Sequence, residues 1–202
     1  MSANAGFFQR IKGLSLAQKH LFALALTQRM KPNFDFFWQQ RGGELAEQAQ
    51  KQFDITLQLL WQKCYDRKLK VNYETHFDKL DLVTPEPDEE ELYAARPAAD
   101  AVVSLVVMLN ALESKNDEEL VNVSKLSTAT VLGFVEAFDH QDLEGDALKQ
   151  HCFEHPMLQE EKAVQQQLLD WVEQANPADA EQTKALRREL CDHPISNLGI
   201  EL

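Results

Sequence analysis

The sequence predicts an all-α fold, a single-domain multi-helix bundle of about seven helices over residues 1–202. Apolar residues recur at the three- and four-residue intervals of one helix face along most of the chain. No alternation of apolar with polar residues lasts long enough to indicate a sheet, and only 7 glycines occur. A chain of 202 residues can bury one good-sized core and is short for two.

The first half of the chain predicts three helices and one long connection. The capping-box sequence SLAQ at 15–18 opens a helix, which we expect to stop at Pro32 because proline has no amide hydrogen to donate. The aromatic stretch 33–41 predicts a short turn or helix that ends at a Gly-Gly pair. Residues 44–64 carry a wide apolar stripe and predict a long amphipathic helix. Residues 68–92, rich in acids and containing two prolines, predict the longest connection.

The second half predicts four helices, three of which begin at a proline. They lie near 97–113, 117–138, 156–175 and 177–191. Proline suits the first helical position because an amide hydrogen there would have no acceptor within the helix. Only a few residues join the first two of these helices, so we expect them to form an antiparallel central hairpin.

The last residues predict a tail that is docked on the helices. Ile195, Leu198 and Ile200 alternate with polar residues too regularly for a disordered end. We expect Asn197 to bond backbone groups of the helices, and Gly199 to allow a close approach to them.

The charge of the chain is acidic and unevenly spread. The net charge is −13, with 11 basic and 5 acidic residues in 1–70 against 9 and 28 in 71–202. A field of that sign repels phosphate backbones and disfavours nucleic acid as a partner, although the basic first third leaves a small opening. No apolar run approaches the roughly 18 residues of a membrane span, and the N-terminal segment lacks a secretory signal. We expect a cytoplasmic protein with no membrane partner.

Two histidines have the most metal-like spacing in the chain. His151 and His155 stand four residues apart, as zinc ligands on one helix face would, and His140 or His193 would have to supply a third ligand. Because His155 precedes Pro156, it is pushed out of helical geometry and occupies the N-cap position of the next helix. The three cysteines are odd in number, far apart and in no C-x-x-C arrangement. We therefore expect no metal and no cofactor.

The segment VSKLSTATV puts hydroxyls and a lysine into an otherwise apolar helix. Ser124 and Lys125 suggest a nucleophile and its base, but neighbouring helical residues point about 100° apart and cannot form such a dyad. Folding the hairpin at its turn puts Asp100 level with Thr130. We expect Asp100 to accept a hydrogen bond from Thr130 or a neighbouring hydroxyl, and Lys125 to find another carboxylate or the surface. The candidate polar seam or pocket consists of Asp100, Ser124, Lys125, Ser127 and Thr130.

Six short motifs, in one order over nearly the full length, resemble the YjaG-like bacterial family, which is classified as domain of unknown function 416. They are RMKPN at 29–33, VN at 71–72, RPAADA at 96–101, VSKLSTATV at 123–131, LRREL at 186–190 and SNLGI at 196–200. The resemblance implies a single-domain, mostly helical, cytoplasmic bacterial protein. It implies no activity, because none is established for the family. His151 and His155 fall outside these motifs.

Two hypotheses of function remain open. The first is a non-enzymatic interaction protein that binds a protein partner or itself, since no catalytic motif occurs and oppositely charged segments could attract between copies. An exposed cluster of Phe34, Phe36, Phe37 and Trp38 would be an interface, whereas a buried cluster, which we expect, is core.

The second hypothesis is an enzyme or small-molecule binder with a polar pocket around Asp100 and residues 124–130. The two hypotheses differ in whether those polar groups open onto a cavity that solvent can reach or are sealed and bonded to each other.

Overall fold

The prediction of an all-α fold is confirmed. The computed structural model describes residues 6–66, 68–140, 142–177, 179–192 and 194–202. Within these ranges the chain forms nine α-helices, one short 3-10 helix and no strand beyond a single bridge between Ile195 and Glu201. The α-helices are α1 (Phe7–Gly13), α2 (Leu16–Arg41), α3 (Gly43–Tyr65), α4 (Tyr73–Asp81), α5 (Ala95–Ser114), α6 (Val121–Phe138), α7 (Gly145–Glu154), α8 (Pro156–Gln174) and α9 (Ala180–Asp192), and the 3-10 helix Glu118–Leu120 precedes α6.

The expected helix end at Pro32 is wrong, because α2 runs through this proline to Arg41. The separate aromatic helix expected at 33–41 is therefore the second half of α2. An interior proline costs about 3 kcal/mol, but burying a phenylalanine contributes about 1.5–3 kcal/mol. Phe34 and Phe37, just after the proline, are both fully buried, so packing of the continued helix offsets the lost backbone bond.

Three short helices account for the rest of the difference from the expected seven. They are α1, α4 and α7, with 7, 9 and 10 residues. Each has one buried residue, Ile11, Leu80 and Cys152 respectively. One buried residue leaves no apolar period in the sequence, so these helices could be found only from their tertiary contacts.

Helix α2 lies at the centre of the bundle, whereas we expected the α5–α6 pair there. All residues from 21 to 28 are buried, so this part of α2 is surrounded on every side. It packs against α3, α5, α6, α8 and α9. Residues 21–26 are all apolar, and a helical segment that is apolar all round has to be covered all round. The α5–α6 pair forms one part of that cover.

Among the described residues, one helix, α5, is long enough and apolar enough to cross a membrane, judged by length and composition alone. Its most apolar window is 56% buried within the protein. The core helix of a folded domain passes the same test, and Leu105 and Leu109 of α5 are fully buried in the main core.

The C-terminal segment folds back on itself beside α6 and α8. The Ser196 amide donates to the Ile200 carbonyl at 3.0 Å, and the Leu198 side chain packs with Val131 and Leu158. Gly199 has φ +74°, a left-handed conformation that other residues rarely adopt. A Cβ at Gly199 would meet nothing within 4 Å, so the expected close approach is wrong and the glycine serves the turn.

Candidate functional site

The polar side chains of α6 meet helix α8 in the interior. Ser127 Oγ donates to Glu161 Oε1 at 2.7 Å, and Ser124 Oγ donates to Gln165 Oε1 at 2.6 Å. Gln165 Nε2 in turn donates to Glu161 Oε1 at 2.6 Å and to the Ser124 carbonyl at 3.2 Å. All four residues are buried, so these bonds replace the water that the polar groups lose on folding.

A charge pair anchors this group of side chains. The Glu161 side chain is 0% exposed, and its Oε2 accepts from Arg29 Nη1 of α2 at 2.7 Å. Both Glu161 oxygens therefore have donors, which is the condition under which a buried carboxylate is tolerated.

The C-terminal segment makes hydrogen bonds to the same group of buried side chains. Asn197 Nδ2 donates to the Ser127 carbonyl at 3.0 Å and lies 3.1 Å from Ser127 Oγ, and its Oδ1 accepts from Asn33 Nδ2 at 2.8 Å. Asn197 thus bonds both a backbone group of α6 and a side chain of α2. We refer to Arg29, Ser124, Ser127, Glu161, Gln165 and Asn197 as the buried seam.

Asp100 and Thr130 form a separate pair. Thr130 Oγ1 donates to Asp100 Oδ2 at 2.7 Å and lies 2.9 Å from the Leu126 carbonyl. Burial raises the pKa of the Asp100 carboxyl above its ordinary value, while the Thr130 hydrogen bond and the charge of Arg96 oppose that shift. Lys125 lies at the exposed surface, where its Nζ donates to Asn122 Oδ1 at 3.2 Å. The five candidate residues are thus divided among the seam, this pair and the surface.

Three members of the seam were not predicted as site residues from the sequence: Arg29 of α2, and Glu161 and Gln165 of α8. A signal exists for the two residues of α8, because they lie on its buried stripe with Leu158, Leu168 and Val172. A charged or amide side chain on an apolar stripe has to be paired inside the protein, so their positions alone predict buried hydrogen bonds.

The two histidines with metal-like spacing bind the end of α6. His155 Nδ1 accepts from the Met157 amide, as an N-cap does, and its Nε2 lies 2.9 Å from Asp139 Oδ2. His151 Nε2 donates to the Asp139 carbonyl at 2.6 Å. His193 lies outside the described residues. In the part of the chain that is described, no group of three or more His, Cys, Asp or Glu side chains is placed to hold a metal ion.

An apolar groove opens at the C-terminal end of α6 and encloses about 270 Å³. We call it the aromatic groove. Its wall includes Phe36, Leu92, Tyr93, Phe134, Phe138 and Ile200. The Tyr93 and Phe138 rings meet edge to face at 4.8 Å between centroids. The Phe138 side chain is 60% exposed and Leu92 is 43% exposed, so apolar surface extends from the groove to the solvent.

The aromatic cluster noted in the sequence is divided between core and groove. Phe34, Phe37 and Trp38 are buried, and Phe34 stacks on Phe53 at 4.5 Å. Phe36 is half-buried and lines the aromatic groove. Three of the four aromatic residues are therefore core.

The fold and the seam define an all-helical protein whose sequence motifs converge in its interior: RMKPN contributes Arg29 and Asn33, VSKLSTATV contributes Ser124 and Ser127, and SNLGI contributes Asn197. The chain belongs to the family described as "Protein of unknown function (DUF416)", whose model matches residues 6–201. This confirms the family that the motifs indicated.

Bacterial relatives cover nearly the whole chain. An uncharacterized protein of Haemophilus influenzae is 30% identical over 194 residues, which are 96% of this chain and 95% of that protein. The uncharacterized protein YjaG of Escherichia coli is 29% identical over 195 residues, 95% of this chain and 94% of the relative. The crystal structure of a DUF416 family protein from Shewanella baltica has a TM-score of 0.89 at 42% identity and covers 98% of this chain and 100% of that one. These names assign no activity.

Proposed function

We propose that the protein is a non-enzymatic, cytoplasmic interaction protein that binds a protein partner through the aromatic groove. In this proposal the chain is one domain in which α5 and α6 lie antiparallel and the C-terminal segment completes the groove. The observation that carries it is the exposed apolar edge: Phe138 and Leu92 stand in solvent beside a concave apolar surface. Such surfaces are typical of contact sites for other macromolecules.

The state of the seam supports this proposal over a polar pocket. The hydroxyls of Ser124, Ser127 and Thr130 are buried and donate to protein acceptors. A nucleophile or a ligand-binding hydroxyl has to face the space that its substrate enters. Hydroxyls that are already bonded inside the bundle favour a structural role.

Part of the uneven charge is paired inside one copy of the chain. Basic residues of the first third pair with acids of the remainder in Arg10–Asp170, Arg10–Glu173, Lys19–Asp117, Arg29–Glu161 and Arg41–Glu90, at 2.5 to 3.0 Å. These pairs leave less attraction between copies. This supports a protein partner at the groove over self-association driven by the charge split.

The proposal can be tested by placing a photo-crosslinking amino acid at position 138 in cells. A matched control places it at Phe153 of α7, which is 54% exposed and is not in the wall of the groove. We expect a discrete crosslinked protein from position 138 and none from position 153, and we expect Leu92→Ala to reduce the yield. Equal products at both positions, or none at position 138, would contradict the proposal.

A further inference from the structure

We propose that the outer face of α5 is a self-association surface, on which the α5 helices of two copies of the chain pack antiparallel. We call this surface the outer stripe, and it consists of Arg96, Ala99, Val103, Val106, Asn110 and Glu113. These residues are partly or fully exposed and recur at alternating intervals of three and four, as the contact residues of paired helices do. None of them lines the aromatic groove, so the inference does not depend on the proposed function.

The middle of the outer stripe lacks the charges that usually cover a surface helix. Residues 97–112 contain one charged side chain, Asp100, whose Oδ2 already accepts a hydrogen bond from α6. Val103 is 43% exposed, and Ala99 and Val106 are half-buried. The outer face of a surface helix normally carries polar or charged residues, so this apolar face is suited to contact another protein surface.

The two ends of the outer stripe carry opposite charges at equal distances from its centre. Arg96 and Glu113 each lie about 13 Å from the midpoint between them, at a helical rise of about 1.5 Å per residue. Val103 and Val106 are symmetric about the same midpoint. When two copies of α5 pack antiparallel there, Val103 of each copy meets Val106 of the other, and Arg96 of each is level with Glu113 of the other. Every position of the outer stripe then has a partner position on the second copy.

Both terminal charges are available for such a contact. Arg96 lies 3.4 Å from Asp88, whose side chain is 94% exposed, and a pair so open to water contributes little. Glu113 is exposed, and it makes no ion pair with any residue that the structure describes. A parallel arrangement would place Arg96 beside Arg96 and Glu113 beside Glu113, so the charges favour the antiparallel one.

Helix α6 widens the contact without placing its lysine between the copies. Leu126 and Ala129 lie within four residues of Thr130, which contacts α5, and they are half-buried and exposed respectively. Lys125 is about 140° around the helix from Thr130 and therefore points away from the α5 pair. A face of two neighbouring helices, about 30 Å long and about 20 Å wide, covers about 600 Å² per copy. The total of about 1,200 Å² exceeds the roughly 1,000 Å² that a specific interface needs.

A second copy fits the outer stripe better than an unrelated protein does. A two-fold axis brings a surface into contact with itself, and the outer stripe is complementary to itself in both charge and spacing. Contact with an unrelated protein would impose no such symmetry. The net charge of −13 makes copies repel each other, so their contact has to use a face with few unpaired charges, as this one is.

The inference can be tested by sedimentation velocity of the full chain from low-micromolar to submillimolar concentrations, where we expect a reversible monomer–dimer equilibrium. Val103→Glu places two carboxylates at the centre of the contact and should abolish the dimer. Ile55→Glu of α3 is the matched control, because Ile55 is 45% exposed and lies outside the outer stripe. It should leave the dimer unchanged. Thermal melting followed by circular dichroism shows whether both variants are folded.

Charge reversal tests the antiparallel pairing. Arg96→Glu alone and Glu113→Arg alone should each weaken the dimer several-fold, because each creates two contacts between like charges. The double variant has the net charge of the parent chain and should restore the dimer, because both pairs form again with their signs exchanged. Both positions are exposed, so these variants decide the question even if Val103→Glu does not fold.

Three results would overturn the inference. They are a monomer at every concentration, a dimer that folded Val103→Glu leaves intact, and charge variants whose weakening the double variant does not reverse. All three leave the aromatic groove as a contact site, since neither Val103 nor the two charged residues line it. Failure of the proposed function would appear instead in the crosslinking from position 138.

Discussion

The buried seam and the aromatic groove share helix α6, but the seam buries polar side chains and the groove exposes apolar ones. Along the seam, Ser124 and Ser127 are buried and bonded to Gln165 and Glu161. At the groove, the apolar ring of Phe138 is 60% exposed. Polar groups inside and apolar groups outside are the two informative exceptions to ordinary burial.

The difference separates structure from function along one helix. Four of the five polar residues that suggested chemistry in the sequence, all but the exposed Lys125, make hydrogen bonds within the fold, as most buried donors and acceptors do. The apolar groups at the end of α6 have no comparable structural reason to be exposed. If this distinction is right, changes in the seam should alter stability, and changes in the groove should alter binding at nearly constant stability.

The largest expected effect is that of breaking the charge pair of the seam. Glu161→Ala leaves Arg29, Ser127 and Gln165 without their common acceptor. Removing one partner of a buried ion pair costs about 3–5 kcal/mol, so we expect that loss in the free energy of unfolding in urea. Glu181→Ala is the matched control, since it removes the exposed pair with Lys184 and should leave the free energy of unfolding almost unchanged. Equal small losses in the two variants would show that the seam is not structural.

A buried polar group outside the seam sharpens the comparison. His20 Nε2 is buried without a hydrogen-bond partner among the described residues. Desolvation lowers the pKa of His20 from 6.5 to about 4, against a smaller opposing effect of Asp117. The unfolded chain therefore binds the proton first as the pH falls, and the folded state loses stability between about pH 6.5 and 4.

At roughly 1.4 kcal/mol per pH unit, the loss through His20 is about 3 kcal/mol. We expect His20→Leu to flatten the dependence of unfolding free energy on pH in that window. Leu82→Ala, at an exposed residue without a titratable side chain, is the control and should leave the slope unchanged. A slope that His20→Leu does not reduce would mean that this imidazole is solvated or paired.

The helical period of α6 explains which of its polar side chains contact the same neighbouring helix. Ser124 and Ser127 are about 300° apart around the helix and share a face, whereas Thr130 is about 240° from Ser124 and points elsewhere. This explains why the two serines meet α8 and Thr130 meets Asp100 of α5. The period fixes which side chains share a face, but it does not say which helix covers that face.

The remaining differences between the predicted and the observed structure also arise from tertiary contacts. Helix class, the capping box at Ser15 and the N-cap at His155 depend on neighbouring residues and could be read locally. The continuation of α2 through Pro32 depends on Phe34 and Phe37 finding a core. The groove combines α2, α6 and the C-terminal segment, and no local pattern specifies such a meeting.

The C-terminal segment belongs to both regions, so its removal tests their connection. Asn197→Ala removes the hydrogen bonds to Ser127 and Asn33 and should cost about 1–3 kcal/mol. Deleting residues 195–202 should lower the melting temperature by several degrees. Asn122→Ala removes only hydrogen bonds at the surface and should stay within about 0.5 kcal/mol. An unchanged melting temperature after the deletion would refute docking of the segment.

Asp100 should show a smaller effect, because it is only partly buried. Asp100→Ala leaves the Thr130 hydroxyl without this acceptor and should cost roughly 1 kcal/mol, at the low end of the range for a lost buried hydrogen bond. Burial raises the Asp100 pKa, so its ionisation destabilises the folded state as the pH rises above the ordinary value of 3.8. Asp100→Asn keeps an acceptor without a charge, and we expect it to be at least as stable as the parent in urea unfolding at neutral pH. A full loss in both variants would show that the charge itself is required.

The smallest effect on stability is expected at the groove itself. Phe138 is the last residue of α6 and is 60% exposed, with an edge-to-face contact to Tyr93 and a tilted contact to Phe134. Phe138→Ala therefore gives up little burial and should change the unfolding free energy by about 0.5 kcal/mol or less, as exposed substitutions do. The same variant should reduce crosslinking of the protein partner from position 92, at the edge of the groove, while Phe153→Ala changes neither property. A destabilisation above about 2 kcal/mol would place this ring in the core and remove the contrast between the groove and the seam.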